Sequence, residues 1–151
     1  MNVFGFAGFS GSGKTTLIER LIPFFVRSGI RVSLIKHAHH NFDIDVPGKD
    51  SWRHRQAGCT EVMISSSSRW AIMHELDSSE QEPGLAVQLS RMSPVDLILV
   101  EGYKIESIPK LEIWRPEVGK PLLYPDDPHI VAIASTRSIS CDLPQFDLNE
   151  P

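Results

Sequence analysis

Gly8-Phe9-Ser10-Gly11-Ser12-Gly13-Lys14-Thr15 decides how this chain is read. It matches G-x-x-x-x-G-K-[ST] at every fixed position, the phosphate-loop (Walker A) pattern. Each part answers a chemical need. Phosphate oxygens must be met by several backbone N–H groups at once, and glycine lets the chain curl around them without a Cβ in the way. Gly11, Ser12 and Gly13 are placed to offer amides to a β-phosphate. The ammonium of Lys14 reaches the β- and γ-phosphates. The Thr15 hydroxyl suits Mg²⁺, and Thr16 is placed to meet an α-phosphate.

The flanking residues supply the context that such a loop requires. Val3 to Ala7 is short and apolar, as in a buried strand. After the loop, Leu17, Ile18, Leu21, Phe24 and Phe25 recur at helical spacing, so Lys14 to Ser28 reads as a helix with Gly29 as its C-terminal cap. Pro23 lies inside it and is expected to bend or break it. Arg31 to Lys36 reads as a second strand. Strand, phosphate loop, helix and strand in succession make a βαβ unit, which needs a parallel sheet. A phosphate loop that ends on a helix N-terminus also meets its anion with unpaired N–H groups and a favourable dipole.

Further along, residues 37–50 form a polar loop with three His and three Asp. Ser51 to Ala57 reads as a short helix closed by Gly58. Glu61 to Ile64 and Trp70 to His74 read as strands around a serine turn, a hairpin-like insert. Residues 77–84 are acidic and punctuated by Pro and Gly. Leu85 to Met92 reads as a helix, and Asp96 to Val100, Leu111 to Trp114 and Ile130 to Ala134 as strands. Phe146 to Pro151 reads as the start of a helix that the chain does not continue. The fold class expected is α/β: a P-loop NTPase-like, mostly parallel sheet with helices on both faces and an added hairpin. Residues 1–151 are expected to form one nucleotide-binding domain with its C-terminal helix truncated.

A phosphate loop needs a carboxylate to organise its metal, at the carboxyl end of a neighbouring buried strand. Asp96-Leu97-Ile98-Leu99-Val100-Glu101 fits, so Glu101 is expected to hold Mg²⁺ through a water or to orient an attacking water. Lys14 and Glu101 are therefore the candidate catalytic residues, and Asp96 is read as structural. In the 37–50 loop, Asp45 or Asp50 is placed to complete the metal shell, and Lys36 and His37 to meet phosphate or a second ligand. The His37-x-His39-His40 spacing raises transition-metal binding, but hydrogen bonding or substrate contact is the favoured role. Arg53 and Arg55 are candidates to clamp an anion or to face solvent. No Asn/Thr-Lys-x-Asp tetrapeptide for reading guanine is present. Ser135, whose amide suits a base carbonyl, and Arg115, which suits stacking on a ring, are the nearest substitutes. From spacing alone, ATP against GTP stays open.

Composition narrows the class. The chain has 151 residues, 41% hydrophobic and 23% charged, with a net charge of −4. That suits an ordinary globular domain and speaks against a general nucleic-acid or membrane-surface binder. Two cysteines, Cys59 and Cys141, make neither a disulfide framework nor a zinc site. No apolar run approaches the ~20 residues that span a bilayer. The N-terminus lacks the basic start of a signal peptide. A cytoplasmic location is expected.

Several pieces together are more specific than the phosphate loop: Gly-Ser-Gly-Lys-Thr-Thr-Leu (11–17), Leu-Ile-Lys-His-Ala-His-His (34–40), Asp45, Pro-Gly-Lys-Asp-Ser (47–51), Ser-Arg-Trp-Ala-Ile-Met (68–73) and Asp-Leu-Ile-Leu-Val-Glu-Gly-Tyr-Lys (96–104). In these the chain resembles the MobB family, small P-loop GTP-binding adaptors of molybdopterin guanine dinucleotide biosynthesis, over nearly its whole length. The resemblance implies a homodimer that binds GTP with Mg²⁺, hydrolyses it weakly at most, and works beside MobA, the guanylyltransferase that joins GMP to the molybdenum-bearing pterin. It implies phosphate contacts by Gly11 to Thr16, metal contacts by Thr15 and Glu101, and a place for Asp45 and Asp50 near the metal. Val-Glu-Gly-Tyr (100–103) also resembles uridine-kinase-like enzymes, so a small-molecule kinase is the alternative. The acidic 75–82 stretch would make it a poor lid.

Overall fold

The structure is a computed structural model that describes residues 1–38 and 42–150. In chain order the elements are β1 (Asn2–Ala7), α1 (Lys14–Arg27), β2 (Val32–Lys36), α2 (Asp50–Gln56), β3 (Glu61–Ser65), β4 (Trp70–His74), α3 (Leu85–Arg91), β5 (Leu97–Glu101), β6 (Lys110–Trp114), β7 (Ile130–Ser135) and β8 (Gln145–Asp147). They fall into two compact units. One holds the described residues up to 38 and from 85 on; the other holds those between 42 and 84. Among the described residues no helix is long and apolar enough to cross a membrane.

The larger unit is a six-stranded parallel sheet in the order β2-β5-β1-β6-β7-β8. Strand alternation builds two cores from it. Phe4 and Phe6 of β1 and Leu97 and Leu99 of β5 meet Leu17, Ile18, Leu21 and Phe25 of α1. Val3, Ile98 and Val100 turn the other way and meet Leu85 and Leu89 of α3. Truncating a fully buried side chain such as Ile98 would cost about 2–5 kcal/mol. The expected parallel sheet with helices on both faces is present.

Helix α1 runs unbroken through Pro23. The expected break does not occur, because Pro23 and Glu19, whose carbonyl loses its partner, both lie on the exposed side, where water can replace the missing hydrogen bond. The helix closes as expected. Gly29, at φ +77°, donates to the Val26 carbonyl at 3.0 Å and Ile30 to that of Phe25 at 3.0 Å, a Schellman motif. The tail departs from expectation. Gln145–Asp147 is not a helix start but an edge strand parallel to β7, with Asp147 paired to Ser135. Leu148 beyond it is buried in the α1 core.

The smaller unit is α2 and the antiparallel hairpin β3–β4, in which Ser65 pairs with Trp70 and Glu61 with His74. Arg55 ties it together. Its guanidinium binds Asp43 at 2.7 Å, Asp45 at 3.0 Å and Glu75 at 2.5 Å. Met63, Ile64, Trp70 and Ile72 of the hairpin are exposed.

Candidate functional site

Three parallel strands bring their carboxyl ends to one edge. Phe6 of β1 and Lys36 of β2 both pair with Glu101 of β5. The chain leaves β1 there and turns through the 8–15 loop into α1. A Cβ on Gly8 would stand 2.4 Å from the Ile113 carbonyl oxygen and 2.8 Å from Ser12 Oγ, so only glycine fits the loop's exit from the sheet. Ser12 closes a turn onto the Phe9 carbonyl at 3.2 Å, and Leu17 takes up the Gly13 carbonyl at 3.0 Å as the helix begins. Arg115, beyond β6, donates through Nε to the Ser12 carbonyl at 3.0 Å. It braces the loop, a contact its sequence position did not reveal.

Lys14 curls over this loop. Its Nζ donates to the Gly8 and Phe9 carbonyls, both at 3.0 Å. Burial lowers the pKa of the Lys14 ammonium; Glu101 opposes that shift, while Lys104 and Lys36 add to it. The Ser12 hydroxyl is buried with no partner among the described residues. A buried polar atom left unpaired at such a turn is costly unless a ligand completes it.

Glu101, only 5% exposed, is the second half of the site. Its Oε1 accepts from Thr15 Oγ1 at 2.9 Å, and its Oε2 lies 3.6 Å from Lys36 Nζ. Its backbone carbonyl accepts from the His37 amide at 2.9 Å. Thr15, Lys14, Glu101 and Lys36 are thus gathered as the sequence reading expected. Asp96, at the other end of β5, pairs with Arg31 and is structural.

Features without a sequence motif surround the loop. The Lys104 ammonium lies 4.3 Å and that of Lys120 6.0 Å from the Phe9 ring centroid. A cavity of about 220 Å³ opens beside the first turn of α1, lined by Gly13, Thr16, Arg20, Arg115 and Asn149 among others. Another of about 370 Å³ lies at the carboxyl ends of β7 and β8, lined by Ser135, Thr136, Arg137, Gln145 and Asp147 among others. The Thr136 hydroxyl there is buried without a partner among the described residues. Ser135 is buried and accepts from the Arg137 amide at 3.2 Å through Oγ. Thr16 and Ser135 therefore line two openings on the β6–β8 side, whereas Glu101 stands on the β5 side. Sequence reasoning missed Asp147 and Asn149 because β8 was not legible.

In the smaller unit, Asp45 accepts from Ser51 Oγ at 2.6 Å and from Arg55. Asp50 is the first residue of α2 and is exposed. Arg53 is exposed on the same helix, while Arg55 is committed to its three carboxylates. His39 and His40 lie outside the described residues; His37 sits with its ring 5.0 Å from that of Tyr103.

Comparison with known proteins agrees with this arrangement. Residues 3–136 match the family model "MobB: Molybdopterin guanine dinucleotide synthesis protein B". The chain is 45% identical over 147 residues to a molybdopterin-guanine dinucleotide biosynthesis adapter protein of Haemophilus influenzae, covering 97% of this chain and 82% of that protein. It is 44% identical over 151 residues to the Escherichia coli adapter protein, covering 98% and 86%. Among solved structures, Bacillus subtilis MobB superposes with a TM-score of 0.76 at 23% identity, covering 100% of this chain and 92% of that one. A MobB homolog from Bacillus stearothermophilus superposes with a TM-score of 0.70 at 25% identity, covering 99% and 89%. These relatives bear adapter names, and the small-molecule kinase reading is not favoured. Sequence, fold and these likenesses agree that the chain belongs to the MobB family of molybdopterin guanine dinucleotide synthesis proteins.

Proposed function

We infer that the chain is a GTP-binding adaptor of molybdopterin guanine dinucleotide biosynthesis, cytoplasmic, acting as a homodimer beside a MobA-type guanylyltransferase. One observation carries the reading: the phosphate loop stands intact on its helix, with Thr15 already joined to a buried carboxylate, Glu101. The loop fits a polyphosphate. Its Ser12 hydroxyl lacks a partner, and its lysine rests on the loop's own carbonyls, from which it can swing to an anion. The Thr15 hydroxyl and the Glu101 carboxylate are hard oxygen donors, which suit Mg²⁺. Bound there, that ion would neutralise charge on the phosphate tail.

The chain's own residues do the rest. Gly11, Ser12 and Gly13 present amides to the β-phosphate, Lys14 the β- and γ-phosphates with a cation, and Thr16 the α-phosphate. The nucleoside extends toward β7 and β8, away from Glu101. There the Ser135 amide suits a guanine carbonyl, and Asp147 supplies the carboxylate that guanine N1–H and its amino group ask for. Hydrolysis is slow in this reading, because Arg115 is spent on the Ser12 carbonyl and Glu101 is already hydrogen bonded. The homodimer is supported by the apolar hairpin, whose exposed Met63, Ile64, Trp70 and Ile72 gain from being covered.

A thermal-unfolding series tests the reading. GTP with Mg²⁺ at a hundred times its dissociation constant should stabilise the protein by about 2.7 kcal/mol, and ATP by less. Lys14→Ala should abolish the effect with the fold intact. Equal shifts with GTP and ATP would remove the guanine assignment, and an undiminished shift in Lys14→Ala would move the nucleotide elsewhere.

A further inference from the structure

The chain is acidic overall, at −4, yet cations crowd one place on it. Lys36 and Lys104 act on Lys14 from nearby, Lys104 and Lys120 both lie on the Phe9 ring, and Arg115 touches the loop at Ser12. The carboxylate that acts on Lys14 is Glu101. A triphosphate with its Mg²⁺ carries a net charge of about −2, so roughly two positive charges stay unmatched once it is bound. Neither Lys104 nor Lys120 pairs with a carboxylate among the described residues.

The backbone at each of the two lysines is also anchored, in both cases from β6. At one end of that strand Lys110, 1% exposed, donates through Nζ to the Lys104 carbonyl at 2.7 Å and the Glu106 carbonyl at 2.8 Å, with Asp127 at 2.5 Å as counter-ion. At the other end the Trp114 indole donates to the Lys120 carbonyl at 2.8 Å. A buried ammonium is expensive, and this one spends its hydrogen bonds on the loop that carries Lys104. Cations on an anchored backbone beside a phosphate loop, in excess of what the nucleotide needs, are the chemistry of a second anion.

We propose that Lys104 and Lys120, with Lys36, form a second anion subsite beside the phosphate loop that takes a phosphate monoester while the nucleotide is bound. The inference rests on the nucleotide reading above and adds a second ligand to it. A doubly charged monoester matches the unmatched charge. Binding alone is assigned to the subsite.

The test uses the full chain in two stages. Calorimetry with Mg²⁺ and guanylyl imidodiphosphate comes first; no binding there fells the nucleotide reading and this inference with it. Phenyl phosphate and inorganic phosphate are then titrated into the loaded protein and followed by amide NMR. Phenyl phosphate should saturate, shifting Phe9, Lys104 and Lys120, and Lys104→Gln or Lys120→Gln should each weaken it about tenfold. The same variants should leave the nucleotide affinity within about threefold. Nucleotide binding in the first stage without saturation by phenyl phosphate in the second overturns the subsite alone. So does an equal loss of nucleotide and phenyl phosphate in the variants, because the lysines would then serve only the triphosphate. Inorganic phosphate binding as tightly as phenyl phosphate overturns the assignment to an ester.

Discussion

Thr15 Oγ1 donates to Glu101 Oε1 at 2.9 Å, so the first turn of α1 and the end of β5 share a proton-bearing contact across the mouth of the phosphate loop. These oxygens come from positions 86 residues apart and are brought together by the parallel pairing of β1 with β5. The pair gives the clearest route to testing the metal assignment. Thr15→Ala and Glu101→Gln should each fold and each lose the Mg²⁺-dependent part of the GTP stabilisation. The cost to the free protein should be about 1 kcal/mol for the lost hydrogen bond of Thr15. Denaturant melts with and without Mg²⁺ read both quantities, and full Mg²⁺ dependence in both variants would remove the pair from the metal site.

The Lys110–Asp127 pair sets a pH dependence. Burial pushes the Asp127 carboxyl up, but the hydrogen bonds from Lys110 and His129 and the Lys110 charge pull it further down, so its folded value lies below the ordinary 3.8. A depressed carboxyl stabilises the fold above its unfolded value and loses that contribution as pH falls through the folded one. Asp127→Asn should cost about 3 kcal/mol at pH 7, because it leaves a buried ammonium without its counter-charge. The variant's stability should also be flatter below pH 4 than that of the parent. Urea melts across pH 2 to 7 measure both, and parallel curves for the two proteins would contradict the assignment.

Base choice is expected to sit with Asp147. Asp147→Ala should weaken GTP by about tenfold or more while leaving ATP nearly unchanged, since a carboxylate that accepts two guanine donors has no such partners on adenine. Competition binding with the two nucleotides measures the ratio. An unaltered ratio would place guanine elsewhere.

Trp70, 65% exposed on the hairpin, is the natural probe of self-association. Trp70→Glu should shift sedimentation toward the monomer at micromolar concentration, with GTP binding retained. A variant that sediments like the parent would take the hairpin out of the dimer contact.

Much of this was legible in the sequence, because local patterns carry it. The phosphate loop, the α1 repeat, the Gly29 cap and the apolar β5 ending in Glu101 are each written in consecutive residues. What escaped is set by partners far along the chain. Gln145–Asp147 shows no strand alternation, and only the exposed edge of β7 makes it a strand. Lys110 and Glu112 look like the solvent side of β6, yet both are buried. Lys110 finds two carbonyls and Asp127, and Glu112 accepts the Leu123 and Tyr124 amides at 2.7 and 2.9 Å. In a sheet covered on both sides, a charged residue marks a bonding partner that spacing does not reveal. The bond from Arg115 to the Ser12 carbonyl was not legible either, since no local pattern tells a ring from a carbonyl.

The strand order has a consequence for how the molecule is made. β1 is synthesised well before its two lateral neighbours, β5 and β6, which follow only after Arg91. Until Trp114 has been made, the phosphate-gripping sequence has neither lateral strand to pair with, so the loop's framework closes late and its unpaired strand edges stay exposed meanwhile.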